Sequence, residues 1–316
     1  MGMYINATGF YIPQGRVPNN HFLDINGLSS DWILKRTGIE TRSKTEEGED
    51  NVTMGKQAVR HAQEQLAYPI TDVDLIISAG YTPQDTVGTL AHIIQKEYNI
   101  EDAVTLMVSS ACSSFINALE IVEGYFALGK AQKALVICSE NNSYYNDETD
   151  PKCGHLWGDA AVAMFISREQ ISGDEPKILN VTTHGLGHIG KGPDGVYLSL
   201  KESKIKMPDG RDVFINATRY MVDAVHEVTR KSNVCVEDLD YLIAHQANMC
   251  IVDSVIQYLN IPEEKSLNNI RSYGNTGSAS AFLVMMENRQ QFQKGNLVGI
   301  TVFGGGYSSG ATLIKF

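Results

Sequence analysis

Three polar turns and a glycine run interrupt the apolar segments of this 316-residue chain. The first turn is SSACSS, where Cys112 follows the strand-like VTLMV and precedes a segment with Phe115, Ala118, Leu119, Val122 and Phe126 on one helical face. Unpaired amides and the helix dipole at such a position favour a thiolate, so the placement predicts a lowered thiol pKa and a nucleophile. Free cysteines are also among the most buried residues, and taken alone Cys112 fits a packed structural thiol better. The second turn, HQAN from His245, follows the apolar YLIA and precedes a helix with Val252, Val255, Ile256 and Leu259 on one stripe. A histidine there is either a satisfied core residue or a donor and acceptor of protons. The third, YGNTGSAS, puts Asn275 ahead of a helix bearing Ala279, Phe282, Leu283 and Met286, where a plain helix cap is the alternative. Last, FGGG from Phe303 allows close backbone approach, either for a tight turn or to present an N–H to a developing oxyanion.

The elements that must position these residues occur twice. NVTMGKQAVRHAQEQLAYPITDVDLIISAG, from Asn51, is echoed by NATRYMVDAVHEVTRKSNVCVEDLDYLIAHQ, from Asn216. Thr53 matches Thr218, Ala58 matches Ala224, Asp74 matches Asp240 and Ala79 matches His245, an offset near half the chain. Each copy runs amphipathic helix, linker, apolar strand and turn, and farther along Cys112 stands opposite Ser278. Strands and helices alternating at this length imply mostly parallel sheets sandwiched by helices. The boundary is expected in SREQISGDEP, residues 167–176, which separates a half 1–170 carrying the cysteine from a half 171–316 carrying the histidine and asparagine. A duplicated chain of this kind is expected to place its site between the halves.

The length suits two ordinary domains or one large one. A hydrophobic fraction of 43% with 20% charged residues is that of a soluble protein, and no apolar run approaches the ~18 residues of a membrane span. The opening MGMYINATGFYIP lacks a basic segment followed by an apolar core, so a cytoplasmic protein without a secretory signal is expected. Five cysteines, at 112, 138, 153, 235 and 250, form no CxxC pair, which speaks against a disulfide framework or a zinc ribbon. A net charge of −11 argues against nonspecific nucleic-acid binding. One local cluster, Lys201, Lys204, Lys206 and Arg211, reads as a solvated face or as a docking patch.

In combination, Cys112 in SSACSS, HQAN at 245, GNTG at 274 and FGGG at 303 resemble β-ketoacyl-acyl-carrier-protein synthase III of the thiolase superfamily. The resemblance spans the chain and includes DWILKRTGIETR, WGDAAVAMFIS from 157 and MPDGRDVF from 207. It implies a thiolase-like α/β fold, a five-layered αβαβα sandwich of two similar halves, usually a homodimer. It also implies that Cys112 takes the acyl group from acyl-CoA or acyl-ACP as a thioester. His245 and Asn275 would stabilise the enolate formed as malonyl-ACP loses carbon dioxide, and the N–H groups of Cys112 and Gly306 would hold the tetrahedral oxyanion. No metal or redox cofactor is expected.

Asn275 separates this reading from the nondecarboxylating thiolases, which use a second cysteine as acid and base. The resemblance further implies that Trp32 and Arg36 flank the nucleotide end of coenzyme A, with Asn248 also binding substrate. Val87 lies in the loop that the family extends toward the partner's acyl tunnel, and its modest size suggests that medium-length acyl groups fit. Two departures remove charge: Cys250 and Pro151 stand where the family has arginines. These, with the serines around Cys112, tilt the expectation toward a specialised pathway, such as polyketide, resorcinol or aryl-polyene formation, over fatty-acid initiation. The competing expectations are an acyltransferase that passes the acyl group to an alcohol or amine, and a noncatalytic acyl binder.

Overall fold

Short apolar runs rich in branched side chains become strands, and the amphipathic stretches between them become helices. The computed structural model describes residues 2–199 and 201–316. The strands of its large sheet are β1 (Met3–Tyr11), β2 (Leu75–Ala79), β3 (Val104–Val108), β4 (Lys133–Glu140), β5 (Ala160–Ser167), β6 (Lys177–Gly185), β7 (Tyr241–Ala244), β8 (Leu297–Gly304) and β9 (Ser308–Lys315). The main helices are α1 (Ser30–Thr37), α2 (Asn51–Gln63), α3 (Leu90–Glu97), α4 (Ser114–Ala127), α5 (Gly210–Lys231), α6 (Met249–Tyr258) and α7 (Ser280–Glu287). Among the described residues, the strands hydrogen-bond in the order β7-β8-β9-β6-β1-β5-β4-β2-β3.

This sheet is mixed, which corrects the expectation of mostly parallel pairing. The pairs β2/β3, β2/β4 and β7/β8 are parallel. The pairs β1/β5, β4/β5, β8/β9, β6/β9 and β1/β6 are antiparallel. A parallel pair needs a long crossover. Only the four-residue helix Asn142–Tyr145 lies between β4 and β5, and a tight turn joins β8 to β9, so the chain returns antiparallel.

Three apolar clusters define five layers. In the outermost, α2 and α3 place Met54, Ala58, Val59, Leu90 and Ile94 against Ile76, Ile137 and Phe165 of the first half's strands. At the centre, α4 and α7 lie between the two groups of strands, with Phe115 and Phe282 stacked at 4.1 Å between ring centroids. On the far side, α5 and α6 put Met221, Val225, Val252 and Val255 on Leu242, Ala244 and Leu313. Strands buried on both faces carry no polar face, which is why β5 reads AAVAMFIS without alternation.

The repeat holds down to single hydrogen bonds. The Asp74 carboxylate accepts the N–H groups of Gln132 and Lys133 at the start of β4, at 2.8 and 3.0 Å. Its counterpart Asp240 accepts the Leu297 N–H at the start of β8, at 2.8 Å. The second copy of β3 shrinks to a single bridge between Leu242 and Ser266. Among the described residues, no helix is long and apolar enough to cross a membrane.

Candidate active site

Cys112 sits in the turn between β3 and α4, just ahead of the N-cap Ser113. Ala111 before it adopts φ +48°, in the left-handed region, where a residue with a Cβ costs about 1–3 kcal/mol. Serines hold the strain. Ser114 Oγ accepts from the Ser110 N–H at 2.9 Å and donates to the Ala111 carbonyl at 2.6 Å. Ser113 Oγ donates to the Ser110 carbonyl at 2.7 Å and lies 2.6 Å from Ser308 Oγ. Ser113 and Ser114 are fully buried braces and do not face the substrate space. Gly304, at the end of β8, passes so close that a Cβ there would lie 2.7 Å from the Ser110 carbonyl and 3.0 Å from the Cys112 nitrogen.

His245 directly follows β7 and is buried. Its Nδ1 lies 2.6 Å from Ser280 Oγ, which also accepts the Gln246 N–H at 3.3 Å. The Ser280 hydroxyl has one proton to give and, among the described residues, Nδ1 is its acceptor. The ring proton therefore sits on Nε2. Burial pulls the His245 pKa down to about 4, so the ring is neutral at neutral pH and presents an N–H donor.

The Asn275 backbone is clamped to the Leu156–Gly158 segment. Its N–H donates to the Leu156 carbonyl at 2.9 Å, and its carbonyl accepts the Gly158 N–H at 2.9 Å. Gly158 has to be glycine, because a Cβ would lie 1.9 Å from the Tyr273 carbonyl. Asn275 Oδ1 accepts the Gly277 N–H at 3.0 Å, which fixes the amide so that Nδ2 is the group left to donate.

These three residues line one cavity of about 530 Å³, with Leu156, Trp157, Phe303 and Met221 among its apolar walls. The thiol differs from the expectation drawn from the helix end. Burial, with Glu140 adding, pushes Cys112 up to about 12, against the opposing pull of the Tyr81 hydroxyl and the backbone N–H. Desolvation of the sulfur outweighs the amides of α4, and the resting group is a thiol. Glu140 itself is fully buried, and burial pushes its carboxyl up to about 7. It accepts the N–H of Thr82 at 3.1 Å and contacts the hydroxyls of Thr82 and Ser278. Ser278 Oγ also donates toward the Ala111 carbonyl at 3.0 Å, so its single proton is shared between that carbonyl and Glu140.

At the mouth stand Trp32 and Arg36 of α1, with the guanidinium 5.5 Å from the ring centroid, and Trp32 is 40% exposed. Asn248 also lines the mouth, but its Oδ1 is occupied as the N-cap of α6, accepting from the Cys250 N–H at 2.9 Å. Lys152 and Arg211 line the same mouth, next to the uncharged Pro151 and Cys250. Of the basic cluster, Lys204 is tied to the Asn146 carbonyl and Lys206 to Asp147 at 3.1 Å, leaving Arg211 as its member on the cavity.

Two residues fall outside the cavity of this chain. Val87 is 83% exposed on its loop and does not line this cavity. Gly306, at φ +113°, stands one residue beyond Gly304 and Gly305, which do line the cavity. Among the described residues, its N–H has no hydrogen-bond acceptor. Sequence reasoning passed over Glu140, Tyr81, Ser278 and Ser280. Only Ser278 carried a signal, as the counterpart of Cys112 in the repeat.

Comparison with known proteins agrees with this geometry. Residues 107–187 match the 3-oxoacyl-[acyl-carrier-protein] synthase III family and residues 229–316 match its C-terminal family. The β-ketoacyl-[acyl-carrier-protein] synthase III of Aquifex aeolicus is 33% identical over the whole of both chains, and its crystal structure superposes with a TM-score of 0.92. That of Acholeplasma laidlawii is 34% identical over 98% of this chain and 97% of its own. A priming β-ketosynthase of a polyketide pathway is 26% identical, with a TM-score of 0.90 over 99% of this chain and 96% of that one. With its five layers, its paired turns and a full-length relative one-third identical, this chain belongs to the β-ketoacyl-[acyl-carrier-protein] synthase III family of condensing enzymes.

Proposed function

We propose that the protein joins an acyl thioester to a malonyl thioester by decarboxylative Claisen condensation, with Cys112 as acyl carrier and His245 and Asn275 as enolate donors. The observation that carries this is the single cavity holding a buried thiol, a neutral histidine whose free nitrogen bears a proton, and an amide fixed to donate. In the first half-reaction the Cys112 sulfur attacks the acyl carbonyl. The thiol proton leaves with the departing coenzyme A or carrier thiolate, so the resting thiol needs no separate ionisation. The N–H groups of Cys112 and Gly306 hold the tetrahedral oxyanion. In the second, the malonyl carboxylate leaves as carbon dioxide and its bonding pair moves toward the thioester oxygen. His245 Nε2–H and Asn275 Nδ2–H stabilise that oxygen. The resulting carbanion attacks the acyl-cysteine, the sulfur leaves, and it takes up a proton.

The cycle draws on thioester substrates and this chain's groups, with no metal or redox cofactor. Arg36, Lys152 and Arg211 at the mouth supply positive charge for an acidic acyl carrier protein or a coenzyme A phosphate, in place of the arginines replaced by Pro151 and Cys250. Trp32 offers its exposed ring to the arm, and the remaining amide of Asn248 offers a donor. The free outer edge of β3 suits pairing with a second copy, and a homodimer working in the cytoplasm is the form we assign.

The test loads the enzyme with acyl-CoA and acyl-carrier donors and weighs Cys112, then follows carbon dioxide from labelled malonyl carrier. Cys112→Ala should form no acyl-enzyme, whereas Asn275→Ala should acylate yet lose decarboxylation by about 10²-fold or more. Condensation at the wild-type rate by the Asn275 variant refutes its role. Acyl loading without any carbon dioxide release favours transfer to an alcohol or amine instead.

A further inference from the structure

Glu140, the last residue of β4, is fully buried and takes no part in the bond-making steps above, yet it touches the turns that carry both reacting groups. Its Oε2 accepts the Thr82 N–H at 3.1 Å and the Thr82 hydroxyl, which is itself aimed by the Asn141 N–H at 2.9 Å. The amide of Asn51 donates to the Thr82 carbonyl at 2.9 Å, so this side of the carboxyl is anchored in the first half of the chain. Its Oε1 meets the Ser278 hydroxyl of the second half. Ser278 Oγ in turn lies 3.0 Å from the carbonyl of Ala111, the strained residue before Cys112. One residue back, a methyl group on Gly277 would lie 3.1 Å from Glu140 Cγ, and the Gly277 N–H is the donor that fixes Asn275 Oδ1 at 3.0 Å. One carboxyl therefore abuts the cysteine turn and the asparagine turn at once.

We propose that Glu140 is a positioning residue for both half-reactions: as a neutral acid it leaves Ser278 to hold the Ala111 carbonyl, and on ionising it withdraws that hold and slows the enzyme. The inference rests on the reading of Cys112 as acyl carrier and Asn275 as enolate donor. Ser278 has a single proton to share between the carboxyl and the carbonyl. A carboxylate is a stronger acceptor than a neutral carboxyl, so ionisation draws that proton away from the cysteine turn. A negative charge two hydrogen bonds from the turn also opposes charge on the sulfur, both as it attacks the donor and as it leaves in the condensation. Among the described residues no cation pairs with Glu140. The titratable groups that face it are the thiols of Cys112 and Cys138 and the phenols of Tyr81 and Tyr145, all kept neutral by burial. Burial pushes the carboxyl itself up to about 7, which brings the change near neutral pH.

The experiment measures acyl-enzyme formation from acetyl-CoA and hexanoyl-CoA, and carbon dioxide release from labelled malonyl carrier, at pH 6, 7 and 8 for wild type and Glu140→Gln. Glutamine keeps the shape of the neutral acid, and its amide can donate to Ser278 Oγ. The wild-type rate divided by the variant's rate removes the pH dependence of the chemistry itself. That ratio should fall by about 5- to 10-fold from pH 6 to pH 8 in both half-reactions, following the ionised fraction of a group that titrates near 7. A carboxyl that only stabilises the fold would leave it flat. Ser278→Ala keeps the carboxyl and cuts its link to Ala111, and it serves if Glu140→Gln does not fold. It should slow both half-reactions by about 3- to 10-fold at pH 6, with the gap to wild type narrowing by pH 8. A flat ratio for Glu140→Gln, or wild-type rates in Ser278→Ala at pH 6, sinks the positioning role alone when wild type loads Cys112 and releases carbon dioxide. Failure of wild type to do either at any pH overturns the underlying reading together with it.

Discussion

Ser280→Ala isolates the tautomer of His245 from its presence. In the native site the Ser280 hydroxyl gives its proton to Nδ1 across 2.6 Å, and the ring proton is thereby held on Nε2, facing the cavity. Without that hydroxyl, Nδ1 is a buried acceptor with no donor, a state that costs about 1–3 kcal/mol. An Nδ1–H facing the alanine methyl would equally lack an acceptor, so the preference for the Nε2–H form is lost without being reversed. The tautomer ratio then falls by about 5- to 150-fold, since about 1.4 kcal/mol is a factor of ten, and the Nε2–H population by about twofold. Decarboxylation needs the Nε2–H donor, and acylation of Cys112 does not. Carbon dioxide release from labelled malonyl carrier should therefore drop by about twofold, while the mass of the acyl-enzyme and its rate of formation stay near wild type. Ser280→Thr, which restores a hydroxyl, should recover much of the loss. Nitrogen NMR of the labelled histidine gives an independent reading, with Nε2–H in wild type and a shift toward Nδ1–H in the alanine variant. Wild-type carbon dioxide release from Ser280→Ala, or a resting ring protonated on Nδ1, would refute the reasoning.

Two further outcomes follow from buried groups in the same region. Burial raises Glu140 from 4.5 to about 7, so between these values the native protein holds a proton that the unfolded chain has released. That contribution to stability is present in full below about pH 4.5 and is lost as pH rises through 7, a swing of ~3 kcal/mol. Urea unfolding of wild type and Glu140→Gln at pH 5 and pH 8 should show the difference between them moving in the variant's favour by that order, and a difference independent of pH would contradict a buried neutral carboxyl. Gly158→Ala drives a methyl group to 1.9 Å from the Tyr273 carbonyl and must move the segment that clamps Asn275. It should lower the urea midpoint by the equivalent of about 1–3 kcal/mol and impair carbon dioxide release more than acyl loading.

Much of the architecture is written locally. Branched apolar runs such as LIISA and VTLMV, bounded by polar turns, form strands whatever their neighbours, and the echo between the segments from Asn51 and Asn216 places two similar units in register. The polar turns SSACSS, HQAN and GNTG each end at a helix, and the structure brings all three to one cavity. Strand direction was not legible in the same way. The periodicity of a segment is identical whether its neighbour runs parallel or antiparallel, and the connections around β5 and β9 decided it.

By itself, then, the sequence determined where the strands, helices and reactive turns lie, because those depend on residues a few positions apart. Tertiary structure decided the electrostatics and the size of the site. Cys112 has its thiol state from burial of the sulfur, with the Glu140 carboxyl of another segment adding to it and the Tyr81 hydroxyl opposing it. The turn that presents it is tied through Ser278 to the other half of the chain, 167 residues from Ala111 and 138 from Glu140. Desolvation and Coulomb interactions act through space and depend on what folding packs around a group, so no local pattern around Cys112 carries them. For the same reason, the helix end that favours a thiolate in the sequence is outweighed in the folded protein by burial of the sulfur.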